Sequence, residues 1–144
     1  MKNFIVYKKN LPEGASLAVY NNDDLIFTSC GKWLYPLFEF ELFLNSYSGP
    51  HEHLAAHDTV IGKAAAVLML HLGITHIYAN LASRLAVEFI EKINQKTDQK
   101  IDFAWGAVVD RLLCATEGQL EDLNDIDEMY RLILQRNSSD RRKN

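Results

Sequence analysis

The chain has 144 residues, of which 48% are hydrophobic, and its 15 basic and 19 acidic residues give a net charge of −4. This length suits a single domain, and the hydrophobic fraction excludes an intrinsically disordered chain. The acidic balance disfavours duplex nucleic acid as a partner, because binding its phosphates requires a basic face.

The first predicted elements are a β-hairpin and a helix. Two short runs of β-forming residues, 17–20 and 25–29, flank an Asn-Asn-Asp-Asp turn, whose residues tolerate the left-handed conformations of tight turns. Residues 33–47 are dense in Leu and Phe and fit either a helix or an extended segment. We favour a helix with Pro36 in its first turn, where the missing N–H costs least.

A central helix is predicted to open near Asp58 and to stop at Gly73. Its only ionisable side chains after residue 60 are Lys63 and His71, so no face is polar enough to meet water. A lysine in the first turns opposes the helix dipole, and Gly62 costs about 1 kcal/mol relative to alanine inside a helix. These unfavourable choices suggest that both residues are there for a reason.

The next segments predict a strand over residues 74–79, a helix and a further strand over 101–105. The helix has one apolar stripe from Ala82 to Ile93, and Asn80 or Ser83 could cap it.

The C-terminal part is less clearly patterned. Residues 107–114 fit either a strand or a helix, and a last helix is predicted over 125–135. The polar tail over 137–144 is expected to be disordered, which leaves 1–136 as one domain. Together the elements predict an α/β fold with a mixed sheet of four or five strands, whose ligands would lie beyond the strand ends, against helix N-termini.

The cysteines and the hydrophobic runs indicate the cellular compartment. Two cysteines, Cys30 and Cys114, are too few for a metal framework, and they fit reduced thiols better than a disulfide. We interpret Cys114 as a buried, inert thiol. The first residues lack the apolar core of a signal peptide, and no run approaches the roughly 20 residues that span a bilayer. We therefore expect a cytoplasmic protein that does not bind membranes.

Three segments carry a family resemblance: the hairpin over 17–27, an Asp-x-x-x-Gly-Lys-Ala-Ala-Ala run over 58–66, and the strand that follows Gly73. Together they resemble a small bacterial family known as a domain of unknown function, whose members adopt a cytidine deaminase-like fold. The resemblance covers about residues 17–110. It implies a three-layer α/β/α arrangement with helices on both faces of the sheet.

In the deaminase fold two helix N-termini converge on the substrate pocket and bear the zinc motifs. The resemblance places these positions at residues 58–63 and 80–84, and neither region has the His/Cys-x-Glu or Pro-Cys-x-x-Cys motif. The usual three-ligand zinc site therefore cannot form, and zinc-dependent deamination is not expected. We expect neither a metal nor a cofactor. The Cys-Pro ending of the family is also not legible, the nearest stretch being 117–121.

Two helix N-termini facing one cavity still offer unpaired N–H donors to an anionic or carbonyl-bearing ligand. In this interpretation Lys63 contacts a phosphate or carboxylate, and Gly62 lets that group approach the backbone. Asp58, Asn80 and Ser83 fix its polar atoms. In the alternative, Asp58 is an ordinary N-cap, Gly62 marks a tight helix crossing and Lys63 extends past the helix end to solvent.

Two polar clusters are interpreted as solvated. His51, His53 and His57 follow a Gly-Pro pair in an expected exposed loop and do not form the H-E-x-x-H pattern, although three imidazoles could bind a transition ion. The acidic residues between 117 and 128 are interpreted as a solubilising face.

The sequence thus predicts a zinc-free, deaminase-like domain that binds a small anionic or nucleotide-like metabolite at the N-terminus of the central helix. One alternative is a non-deaminase enzyme in which Lys63 acts as a base or nucleophile. Another is an interaction module without a ligand, in which the aromatic segment 33–47, with Phe38 and Phe43, mediates self-association as a homodimer.

Overall fold

Five strands form one mixed sheet in the computed structural model, which describes residues 6–98, 100–112 and 115–142. The strands are β1 (Leu17–Asn21), β2 (Asp24–Ser29), β3 (Leu54–Ile61), β4 (Ile74–Ser83) and β5 (Asp102–Val109), and the helices are α1 (Tyr35–Ser46), α2 (Lys63–His71), α3 (Arg84–Lys96), α4 (Ala115–Gln119) and α5 (Ile126–Arg142). The strand order is β2-β1-β3-β4-β5. β1 is antiparallel to both neighbours, whereas β3, β4 and β5 are parallel. The predicted α/β class and mixed sheet are confirmed.

The hairpin and the first helix follow the sequence prediction. Asn22 adopts a φ of 56° in the two-residue turn between β1 and β2. Pro36 lies in the first turn of α1, where no N–H is required. Phe38 and Phe40 are buried in the core, and Phe43 stacks on Phe40 and packs against that core. Polar substitutions at Phe38 or Phe43 would therefore disrupt the core and would not report on self-association.

The region around Asp58 differs from the prediction. Residues 54–61 form the central strand β3 instead of a loop and a helix start, and α2 begins only at Lys63. β3 lies between β1 and β4 and is buried along most of its length, so its sequence does not alternate between polar and apolar residues. A short apolar run of this kind cannot be told from a buried helix by periodicity. Asp58 is therefore a strand residue and not an N-cap.

The second half extends the predicted elements. β4 continues to Ser83, which caps α3 by accepting a hydrogen bond from Ala86 N at 3.1 Å. β5 continues to Val109, which assigns the start of the ambiguous 107–114 segment to a strand. Cys114 lies outside the described residues. Helix α5 begins as predicted but runs to Arg142, through the first part of the predicted polar tail.

The helices pack on one face of the sheet. α1, α2, α3 and α5 contribute Phe40, Val67, Ile90 and Met129 to a single buried cluster. The connections from β2 to β3, β3 to β4 and β4 to β5 all move in the same direction across the sheet, so right-handed crossovers place their helices on the same side.

In the described part of the chain, the other face carries a 3-10 turn at Val6–Lys8, whose Tyr7 packs on β1 and β3. The second helical layer expected from the three-layer arrangement is thus reduced to this turn. None of the described helices combines the length and hydrophobicity that a bilayer crossing requires.

Candidate functional site

A cavity of about 640 Å³ lies at the carboxyl edge of the sheet. β2, β3, β4 and β5 all end at this edge, because β2 and β3 both run antiparallel to β1 and the last three strands are parallel. Most of the wall is apolar. The side chains on it that carry hydroxyls or charges are Ser16, Lys32, Asp58, Thr59, Arg111 and Glu117. Ligands of α/β sheets bind at this edge, in pockets of this size and character.

Asp58 is the buried titratable group of β3 that opens on the cavity. It is only 9% exposed, and burial raises the pKa of its carboxyl to about 7. Hydrogen bonds from the backbone of Val60 and Thr59, and from the Thr59 hydroxyl at 3.5 Å, oppose this rise but do not cancel it. At neutral pH Asp58 is therefore poised between a hydrogen-bond donor and an acceptor.

Glu117 lies at the junction of two helix N-termini. Its Oε2 accepts hydrogen bonds from Lys63 N at 2.7 Å, at the start of α2, and from the Ser83 hydroxyl at 2.7 Å, at the start of α3. Its Oε1 accepts a third from Leu112 N at 3.0 Å. The carboxylate is 2% exposed. The two helix starts therefore converge as expected, but the anion between them belongs to the protein.

This arrangement corrects the interpretation of Glu117 as part of a solvated acidic face. The short helix α4 brings it inward from a segment whose composition is typical of a surface, and Glu121, Asp125 and Glu128 in the same segment are indeed exposed. A buried carboxylate is stable here because three donors and two helix dipoles offset its lost hydration.

The Lys63 ammonium is directed away from the cavity wall and into the protein. Its Nζ donates to three backbone carbonyls that follow α4, those of Leu120 at 2.6 Å, Glu121 at 3.2 Å and Leu123 at 2.8 Å. The residue is 4% exposed, so its side chain does not extend to solvent as the structural alternative supposed.

The Lys63 ammonium therefore stabilises the C-terminal end of α4, where carbonyls lack partners within the helix. Burial and the nearby Lys92 lower the pKa of this ammonium, while Asp122, Glu121 and Glu117 raise it. All three N–H donors are used in the hydrogen bonds to carbonyls. The charged form has no lone pair, so in this state Lys63 cannot act as a base or a nucleophile.

Comparison with known proteins identifies the family. The family model of TM1506, a domain of unknown function (DUF1893), matches residues 6–136. The chain belongs to this DUF1893 family. A DUF1893 family protein (TM1506) from Thermotoga maritima, known from a crystal structure, is similar in fold, with a TM-score of 0.69 and 22% identity over 86% of this chain and 82% of that chain. No curated protein matches the chain.

Asn80 lies apart from the other predicted site residues of the DUF1893 chain. Its Oδ1 is 3.3 Å from Nε2 of His57, and the His57 Nδ1–H donates to the Tyr7 carbonyl at 2.9 Å. His57 is 2% exposed on the sheet face opposite the helices, so its assignment to a solvated loop was wrong. His51 stacks on Tyr47. Within the described ranges, no group of three His, Cys, Asp or Glu side chains is placed to hold a metal ion.

Of the five predicted site residues of this DUF1893 domain, Asp58 and Gly62 line the cavity, and Ser83 and the Lys63 amide meet at Glu117. Sequence reasoning missed Glu117, Arg111 and the loop residues Lys32 and Trp33. The one local signal was a tryptophan two residues after Gly31, and it was absorbed into the predicted helix over 33–47.

Gly62→Ala should destabilise the DUF1893 domain by about 2 kcal/mol. A Cβ at this position would lie 2.5 Å from Glu117 Oε2 and 2.7 Å from Leu112 Cδ1, and the carboxylate is pinned by its three hydrogen bonds. Urea unfolding measures the loss. Gly118→Ala is the matched control, since its Cβ would meet nothing within 4 Å and alanine favours the helix there. Equal stability of the two variants would contradict the close packing at Gly62.

Proposed function

We propose that this domain is a zinc-free, deaminase-like binding domain of the cytoplasm, and that it binds a small anionic, nucleotide-like metabolite in the cavity beside Asp58. The supporting observation is the Asp58 carboxyl, which is buried on β3, opens on a cavity of about 640 Å³ and has a pKa raised to about 7. Among the residues that the structure describes, no cationic side chain forms an ion pair with this carboxyl. Burying a carboxyl in this way is costly for stability, and such groups cluster at functional sites.

The cationic groups around the cavity suggest where the anionic part of a ligand would bind. Lys32 and Arg111 line the cavity and are exposed at its mouth. Arg111 also forms an ion pair with Glu121. The Lys63 amide and the Ser83 hydroxyl are not available to this anionic part, because Glu117 already accepts a hydrogen bond from each of them. A phosphate or carboxylate would thus be held at the rim, and the polar atoms of the remaining ligand would face Asp58.

A thermal-shift titration with the four ribonucleoside monophosphates tests this function. A ligand at about 100 times its Kd adds about 2.7 kcal/mol of stability, so we expect the melting temperature to rise by roughly 5 °C or more. Asp58→Asn, measured against its own ligand-free baseline, should lose most of the shift. The exposed Asp24→Asn should keep it.

Inorganic phosphate distinguishes occupancy of the rim from occupancy of the whole cavity, and it should shift the protein far less than a nucleotide. Nucleotide shifts that are absent from the wild type, or that are identical in Asp58→Asn, would overturn the proposed function.

A further inference from the structure

We infer that the ligand of this cavity contains a planar heterocyclic ring, which stacks on the indole of Trp33 and presents its polar edge to Asp58. The inference rests on the proposed function and adds how the ring of the nucleotide-like ligand is recognised. It makes Trp33 the residue that selects a ring-bearing metabolite over a sugar phosphate or a simple organic anion.

Trp33 is unusual in both its exposure and its backbone. Its side chain is 76% exposed although it lines the cavity, so it buries little of its large apolar surface in the folded protein. Its φ is 59°, in the left-handed region that bulky side chains rarely adopt. Strain of this kind persists only where the surrounding structure imposes it, and it concentrates at ligand sites.

The loop before α1 holds Trp33 in this conformation. The Tyr35 N–H donates to the Lys32 carbonyl at 3.2 Å, which closes a turn around Trp33. Gly31, which precedes Lys32, is held at both of its backbone polar groups. The Ser16 hydroxyl donates to its carbonyl at 2.7 Å, and its N–H donates to the Ser29 hydroxyl at 3.1 Å. The backbone that carries the indole is therefore held in place before any ligand arrives, which lowers the entropic cost of stacking.

Side chains of β2 and α1 approach Gly31 closely. A Cβ there would lie 3.0 Å from Glu39 Oε1 and 3.3 Å from Ser29 Oγ. The loop backbone that precedes Trp33 thus packs closely against side chains of β2 and α1.

The remaining wall suits a flat ring. It is apolar where Leu34, Pro36, Val60 and Leu81 line it, and these side chains can contact a ring that has no polar faces. Asp58 offers the matching polar edge, since its carboxyl can accept from a ring N–H or, when protonated, donate to a ring nitrogen. Lys32, next to Trp33 in the chain, would contact an anionic substituent of the same ligand.

Tryptophan fluorescence gives a direct test, because the chain has two tryptophans, Trp33 and Trp105. In a Trp105→Phe background the emission reports on Trp33 alone, and phenylalanine retains an aromatic contact with Phe103 on β5. The probes are the four ribonucleoside monophosphates and ribose 5-phosphate, which has the same anionic group without a ring. We expect at least one nucleotide to quench Trp33 emission and to bind at least 10-fold more tightly than ribose 5-phosphate.

Two variants separate stacking from a structural role. Trp33→Leu should weaken that nucleotide between about 5-fold and 100-fold by calorimetry and leave ribose 5-phosphate unaffected. Trp33→Asn should lose nucleotide affinity similarly while its melting temperature rises by roughly 3 °C, because asparagine tolerates the left-handed backbone. A merely structural tryptophan would give the opposite change in stability.

The outcomes distinguish this inference from the proposed function. If nucleotides bind and Asp58→Asn abolishes binding, but ribose 5-phosphate binds equally well and Trp33→Leu changes nothing, stacking is wrong and the proposed function stands. If neither probe class binds the wild type, both are overturned. Quenching that survives Asp58→Asn unchanged would contradict the orientation of the ring toward that carboxyl.

Discussion

Glu117→Gln should destabilise the folded domain by about 3 kcal/mol, although it changes one atom. The carboxylate accepts hydrogen bonds from Lys63 N, Ser83 Oγ and Leu112 N, and it is 2% exposed. Glutamine replaces one acceptor oxygen by an NH₂ group, which must face at least one of these donors. It also removes the negative charge that the N-termini of α2 and α3 stabilise.

Urea unfolding of Glu117→Gln beside Glu88→Gln measures this effect. Glu88 lies on the exposed side of α3, so its substitution should change the free energy of unfolding by less than about 0.5 kcal/mol. Similar stabilities of the two variants would contradict the view that Glu117 ties the two helix starts together.

Asp58→Asn should stabilise the protein above neutral pH, by up to about 4 kcal/mol. The pKa of Asp58 is about 7 in the folded protein and about 4 in an unfolded chain. Between these values the unfolded chain has released a proton that the folded state still holds, so raising the pH favours unfolding. The stability that protonated Asp58 supports is complete below about pH 4, falls between about pH 4 and 7, and is lost above about pH 7.

Asparagine is neutral throughout and its side-chain oxygen can still accept from the Val60 and Thr59 amides, so the variant should lack this pH dependence. Urea unfolding near pH 4.5 should give similar stabilities for the wild type and the variant, and near pH 8.5 the variant should be clearly more stable. The exposed Asp24→Asn should follow the wild type at both values. A variant less stable than the wild type at high pH would show that Asp58 has a cationic partner or is not buried.

Local signals predicted most of the fold. Three signals correctly predicted where elements begin or end: the Asn-Asn-Asp-Asp turn, Pro36 in the first turn of α1, and Gly73 after α2. Gly73 has a φ of 86°. β3 was missed for a physical reason: a central strand buried on both faces has no alternation, and its Ala55-Ala56-His57 run has no β-branched residue. The identity of that strand is decided by its neighbours β1 and β4, which the local sequence does not reveal.

The candidate site was predictable only in part. The convergence of two helix starts follows from the order of strands and helices, and Ser83 was recognisable as a cap. The partner of those helix starts was not, since Glu117 is 54 residues from Lys63 and lies in an acidic stretch that looks like a surface. The carbonyls that Lys63 binds were hidden in the same way, since they lie 57 to 60 residues away in the sequence. The lysine at the helix start does have a specific structural role, because its ammonium binds the carbonyls that follow α4.

Titration of the Asp58 carboxyl by carbon-13 NMR, with and without the best nucleotide of the thermal-shift panel, tests the burial of this group and its place in a ligand site together. We expect a pKa of about 7 in the free protein and a clear change of that pKa, or of the carboxyl shift, when the nucleotide binds. A carboxyl that titrates near pH 4 and ignores every nucleotide would contradict both its burial and its place in a ligand site.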